Sequence, residues 1–263
     1  MDKWIAKYLE EWQTDFGAEP DAESSFKFVK DALMAFKNLL PSGSSPITRL
    51  EAVASLIATR VNKQDDPRDF LQYLQGVIFE AAAISPLDPS DLTEVIRIFL
   101  QKLSTPDAEW FRYDFAKNTR ERWNGPDTPG AEKNKEQCIQ EWVSLNMLIA
   151  HLTRLHTISL ETYALRTFYR TFDTEANENQ LDYNVPASGA WIDILGKEIF
   201  QWCMLPREAG CVVSEVFNQG KWEVWKQGFQ KYSKVESHLS PRTKVAADVA
   251  WLKMDSLQAG HGQ

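Results

Sequence analysis

Residues 131–155, AEKNKEQCIQEWVSLNMLIAHLTRL, place Cys138, Trp142, Leu145, Ile149 and Leu152 at alternating intervals of four and three. Those intervals follow the 3.6-residue turn of an α-helix and gather the five side chains into one stripe. The spacing predicts a long helix over 131–155 with one buried face. The same period recurs in both directions along the chain, and strict β-type alternation hardly appears. The expected fold class is therefore all-α, a single-domain bundle of about eleven helices.

Proline punctuates the pattern. Trp4, Tyr8 and Trp12 give a first helix, and Phe26 through Leu40 a second that stops before Pro41-Ser42-Gly43. Ser45-Pro46, Asp66-Pro67, Asp88-Pro89 and Thr105-Pro106 each open a further helix, because a proline in the first turn gives up an N–H that has no intrahelical partner anyway. Asn124 to Gly130 contains two prolines, two glycines and an Asn-Gly pair, and it divides an N-terminal half, 1–123, from a C-terminal half, 131–257. In the second half a helix is expected from Ser159 to Phe172, then a polar link from Asp173 to Asp182, then a helix opened by Val185-Pro186 that carries Trp191, Leu195, Ile199 and Trp202. Two last helices carry Trp222, Trp225 and Phe229, then Val245, Val249 and Leu252; residues 258–263 are expected to form a disordered tail.

Composition removes several function classes. With 263 residues and 43% apolar content the chain can bury a core without disulfide or metal staples. A net charge of -8 opposes docking on nucleic acid or anionic lipid. No run of apolar residues reaches membrane-spanning length, and Met1-Asp2-Lys3-Trp4 does not open a signal peptide, so the cytoplasm is the expected location. Cys138, Cys203 and Cys211 are odd in number and form no Cys-x-x-Cys, which fits simple thiols in a reducing compartment. No cofactor loop, nucleophile elbow or zinc-protease motif occurs, so neither cofactor nor metal is expected.

A few residues carry chemistry. Asp65-Asp66-Pro67-Arg68-Asp69 has the Asp-Asp-x-x-Asp form that holds magnesium in helical terpene synthases, but Pro67 puts it at a helix start, where carboxylates cap N–H groups. His151 and His156 are five apart, off the one-turn spacing of two ligands on a helix face. Asn146 stands one turn after Trp142 and reads either as a polar tie between helices or as a hydrogen-bonding group in an aromatic pocket. Tyr163, Arg166 and Arg170 share a face, which is solvated charge or, turned toward a pocket, a site for an acidic enol or carbonyl oxygen. Trp191, Leu195 and Trp202 are core or a stacking wall.

Trp142-x-x-Leu145-Asn146, then Asn184-Val185-Pro186-Ala187 with Trp191-Ile192 and Gly196, then Trp222-x-x-Trp225-Lys226-x-x-Phe229, resemble a fungal family of helical proteins of unknown function. The resemblance covers roughly Glu136 to Leu257. Sequences of this kind include hetero-Diels–Alderases of secondary metabolism, which join a tropolone-derived quinone methide to a humulene-type sesquiterpene. The resemblance thus implies a cofactor-independent cyclase for hydrophobic substrates. Arg166, Tyr163, His151 and Asn146 would be its catalytic candidates, and Trp142, Trp191, Leu195, Trp202 and Arg170 its substrate-binding ones. A helical scaffold or carrier of hydrophobic ligands is the alternative, a magnesium-dependent terpene synthase the third reading, and a homodimer is left open.

Overall fold

The computed structural model describes residues 1–18, 22–39, 46–84, 87–126, 129–130, 133–173, 178–204, 217–234 and 238–261. Among these residues it is all-α, with eleven α-helices and no strand. The chain divides into two compact units, Met1–Asn124 and Gly125–Gln263, at the Asn-Gly pair inside the predicted break. Gly125 has φ 121°, a region that side chains with a Cβ rarely enter. Cys211 lies outside the described residues, as does the Pro41-Ser42-Gly43 stop.

The first unit comprises α1 (Asp2–Phe16), α2 (Ala22–Lys37), α3 (Pro46–Val61), α4 (Arg68–Ile84), α5 (Pro89–Leu100) and α6 (Thr105–Arg122). Its starts follow the proline punctuation. The Ser90 N–H donates to the Asp88 carboxylate at 2.8 Å with Pro89 in the first turn of α5, and the Arg68 N–H donates to Asp66 Oδ1 at 3.1 Å ahead of α4. The core is aromatic: Phe79 stacks on Phe115 at 4.6 Å, Phe115 on Phe111 at 5.7 Å, and Phe111 meets the edge of Phe99.

The second unit comprises α7 (Lys135–Arg154), α8 (Glu161–Phe168) continued by a π-helical turn (Tyr169–Asp173), α9 (Glu178–Met204), α10 (Gln219–Ser233) and α11 (Pro241–His261). A capping box starts α7, with Asn134 and Gln137 each accepting the other's backbone N–H. Its C-terminus closes with the Thr157 N–H on the Leu152 carbonyl and the His156 N–H on that of Thr153. This paired closure puts His156 at φ 51°.

Four expectations are corrected. Helix α9 begins at Glu178, so Pro186 lies inside it and the polar link is shorter than expected. Tertiary bonds hold this turn despite the missing N–H: Asp182 accepts from Lys135 Nζ at 2.7 Å, the Ser240 N–H at 3.0 Å and the Thr243 hydroxyl at 2.9 Å. The helix expected to reach Phe172 changes to a π turn at Tyr169. There the Thr171 hydroxyl lies 2.8 Å from that of Ser188 and the Thr171 carbonyl accepts from Tyr232 Oη.

The apolar face assigned to the last helix is the outer one. Val245, Val249 and Leu252 are 64%, 52% and 52% exposed, while Ala247, Ala250 and Met254 are buried. The reason lies in α9. A Cβ on Gly189 would stand 3.4 Å from the Ala246 carbonyl oxygen and 3.8 Å from the Ala250 Cβ, so the helices approach too closely for branched side chains in the seam. Order also continues past Leu257, because Gln258 bonds Lys226 and Glu223 of α10. The expected tail is helical as far as His261.

Candidate functional site

In the second unit, of the residues singled out from sequence, Trp142 and Trp191 meet at Asn146, which is fully buried. Its Nδ2 donates to the Trp142 carbonyl at 2.8 Å, and its Oδ1 accepts from Trp191 Nε1 at 2.9 Å. The Thr167 hydroxyl lies 2.9 Å from both Asn146 Oδ1 and the Tyr163 carbonyl, and its single proton serves one of them. The amide therefore ties α7, α8 and α9 together and is spent on protein partners. Trp191 and Leu195 are 0% and 1% exposed and stand in the core, whereas Trp202 is half-buried and meets Phe217 edge-on at 5.1 Å.

The arginines sit on rings. The Arg166 guanidinium lies 5.4 Å from the Tyr163 ring centre and that of Arg170 lies 5.9 Å from Trp142. Burial, and then the charge of Arg166, lower the pKa of Arg170. Arg166 is exposed, Tyr163 is buried, and His151 is buried near the end of α7 while His156 occupies the left-handed turn beyond it. Arg170 is thus brought to Trp142, and Asn146 to Trp191; Trp202 is placed apart from them, about three turns beyond Trp191 along α9.

A concave site lies in the first unit, where the sequence offered only the Asp-Asp-x-x-Asp motif of the third reading. Helices α1, α4 and α6 enclose a groove of about 640 Å³. Contacts give its run. Tyr8 lies over Gly76, where a Cβ would be 3.5 Å from its hydroxyl, and Trp12 and Phe16 meet Tyr73 edge-on at 5.6 and 5.9 Å, so α1 is antiparallel to α4. Asn118 donates to Gln75 at 2.6 Å and Arg122 to Glu80 at 3.3 Å, so α6 runs alongside α4 in the same direction. One end carries Asp69 and Phe16, the other Tyr8, Glu80, Glu121 and Arg122. The eleven residue steps from Asp69 to Glu80 span about 16 Å of helix.

The groove's charges are uneven. Arg122 is held by Glu80 and lies 4.8 Å above the Phe79 ring. Asp69 and Glu121 line the groove and have no ion-pair partner among the described residues. Burial, reinforced by Glu80 and opposed by Arg122, pushes the Tyr8 phenol up to about 12, so it is neutral at physiological pH. Of the Asp-Asp-x-x-Asp triplet only Asp69 belongs to the lining; Asp66 is spent on the α4 start and Asp65 is exposed. The available sequence signal was the stripe Trp4, Tyr8, Trp12 extended by Phe16, but no spacing within α1 reports which helices face it.

No curated protein and no solved structure matches the chain. The sequence model of a protein family of unknown function (DUF3632) matches residues 53–229. The match begins at Val53, well ahead of the Glu136 to Leu257 stretch that carries the resemblance, and takes in α4 and α6 of the groove as well as the Asn146 tie. On a match that spans parts of both units and more than half of the chain, this protein belongs to the DUF3632 family of proteins of unknown function.

Proposed function

We propose that the protein is a helical binder of small organic molecules and that the groove of α1, α4 and α6 is its ligand site. The observation that carries this reading is the groove itself. Its volume falls within the roughly 300–1,000 Å³ of small-molecule sites. Its lining combines five aromatic side chains, Tyr8, Trp12, Phe16, Tyr73 and Phe79, with about as many polar and charged ones, so it can take up an apolar surface and orient it through polar contacts. Gly76 keeps its floor clear. The singled-out residues of the second unit support the complementary half of the reading, since Asn146, Trp191 and Leu195 are occupied in holding helices together.

Ligand-observed NMR with 2-naphthol as a neutral aromatic probe tests it. Gly76→Met, which projects a side chain into the groove, is expected to weaken binding about tenfold or more, the worth of roughly one aromatic contact. Equal binding by the variant, with unchanged circular dichroism, would count against the groove.

The cycloaddition that the resemblance implies is a second reading, favoured by the volume of the groove. Confinement of two apolar partners can supply several kcal/mol, on the order of 7 in ideal cases, without metal or cofactor. In this reading fungal secondary metabolism supplies the substrates. Adduct formation from a tropolone alcohol and a humulene alcohol in EDTA, no faster and no more stereoselective than in buffer, would dispose of it.

A further inference from the structure

We infer that the groove selects organic cations: amines that carry an aromatic or apolar body. The inference rests on the reading of the groove as a ligand site and names the ligand class.

Charge is the first argument. Three carboxylates, Asp69, Glu80 and Glu121, face the groove against one cation, Arg122, a surplus of two negative charges. Arg122 is committed to Glu80 and to the ring of Phe79, so among the described residues no lining cation is left for an anionic ligand. The surplus carboxylates, Asp69 and Glu121, lie toward opposite ends, and an amine entering along the groove meets one at either end. The walls supply the second argument. Trp12, Phe16 and Tyr73 contact one another at 5.4 to 5.9 Å; Trp12 is nearly buried and backs Phe16 and Tyr73, which reach the surface, and a cation within about 6 Å of such a ring face is attracted by its quadrupole. The groove already uses this attraction once, for Arg122 over Phe79. Tyr8, neutral at physiological pH, adds a hydroxyl without altering the charge balance.

Three probes of one shape and different charge decide the matter: phenethylamine, 2-phenylethanol and phenylacetate, titrated into the full-length protein by ligand-observed NMR at low salt. The amine is expected to bind about tenfold more tightly than the alcohol, and phenylacetate more weakly than either. The double variant Asp69→Asn/Glu121→Gln, altered at two exposed positions, should bring the amine to about the affinity that the alcohol shows on the same variant. Gly76→Met should weaken binding of both about tenfold or more. Amine and alcohol of equal affinity, or an amine preference that survives the double variant, overturns the cation inference while the groove remains a ligand site. Amine binding untouched by Gly76→Met also overturns it, by locating the amine elsewhere. If none of the three probes binds, the groove reading falls and the inference with it.

Discussion

At the scale of single residues, two positions bear sharp predictions. His156 holds φ 51° in the turn that closes α7, a conformation costing a residue with a Cβ about 1–2 kcal/mol and glycine little. After glycine's greater unfolded-state entropy is set against this, His156→Gly is expected to stabilise the protein by roughly 0.5 kcal/mol, measured as a higher midpoint in urea. Asn146 behaves oppositely. Asn146→Ala leaves the Trp191 indole N–H buried without an acceptor and should cost about 2 kcal/mol or more in the same measurement. Sequence placed Asn146 beside an apolar stripe and left two roles open. Only coordinates show that both ends of its amide are occupied.

At the scale of elements, close packing sets the sign of a substitution that helix propensity alone would misjudge. Gly228 lies within α10, where alanine ordinarily gains up to about 1 kcal/mol. A Cβ there would fall 2.4 Å from the Phe172 ring, which is itself packed on Phe229 at 4.9 Å and Tyr232 at 6.0 Å. Gly228→Ala is therefore expected to destabilise by about 1–3 kcal/mol, seen as a lower thermal midpoint. Helix α11 follows the same logic. Its sequence stripe of Val245, Val249 and Leu252 was legible as amphipathic, yet at Gly189 the approach of α9 leaves room only for small residues of α11, and the stripe faces outward.

At the scale of the whole molecule, buried titrating groups bound the pH range of stability. Burial pushes the Cys203 thiol from 9.0 and the Tyr8 phenol from 10.0 to about 12. Both folded values are raised, so their contribution is full below pH 9 and is lost as pH rises toward about 12. On the acid side burial raises the Asp182 carboxyl, but the bonds from Lys135, the Ser240 N–H and Thr243, with the charge of Lys135, outweigh it and hold the group below 3.8. Its contribution is present above that ordinary value and lost as pH falls through the depressed one. Urea titrations across pH should show the acid decline reduced in Asp182→Asn and the alkaline decline reduced in Cys203→Ala. Cys203, and likewise buried Cys138, should resist iodoacetamide at pH 8 until the protein unfolds, as read by peptide mass spectrometry.

The sequence by itself determined the class of this protein, its helix starts at Pro46, Pro89 and Thr105, and the break that separates its two units. Those features depend on local rules: a period of 3.6, prolines in first turns, and an Asn-Gly pair that tolerates positive φ. Tertiary structure alone decided that Pro186 stays inside α9, that Asn146 is a tie, and that the concave site lies among α1, α4 and α6. The physical reason is range. The groove joins Tyr8, Tyr73 and Arg122, residues far apart in the chain whose meeting depends on how three helices pack, and no local periodicity encodes that arrangement.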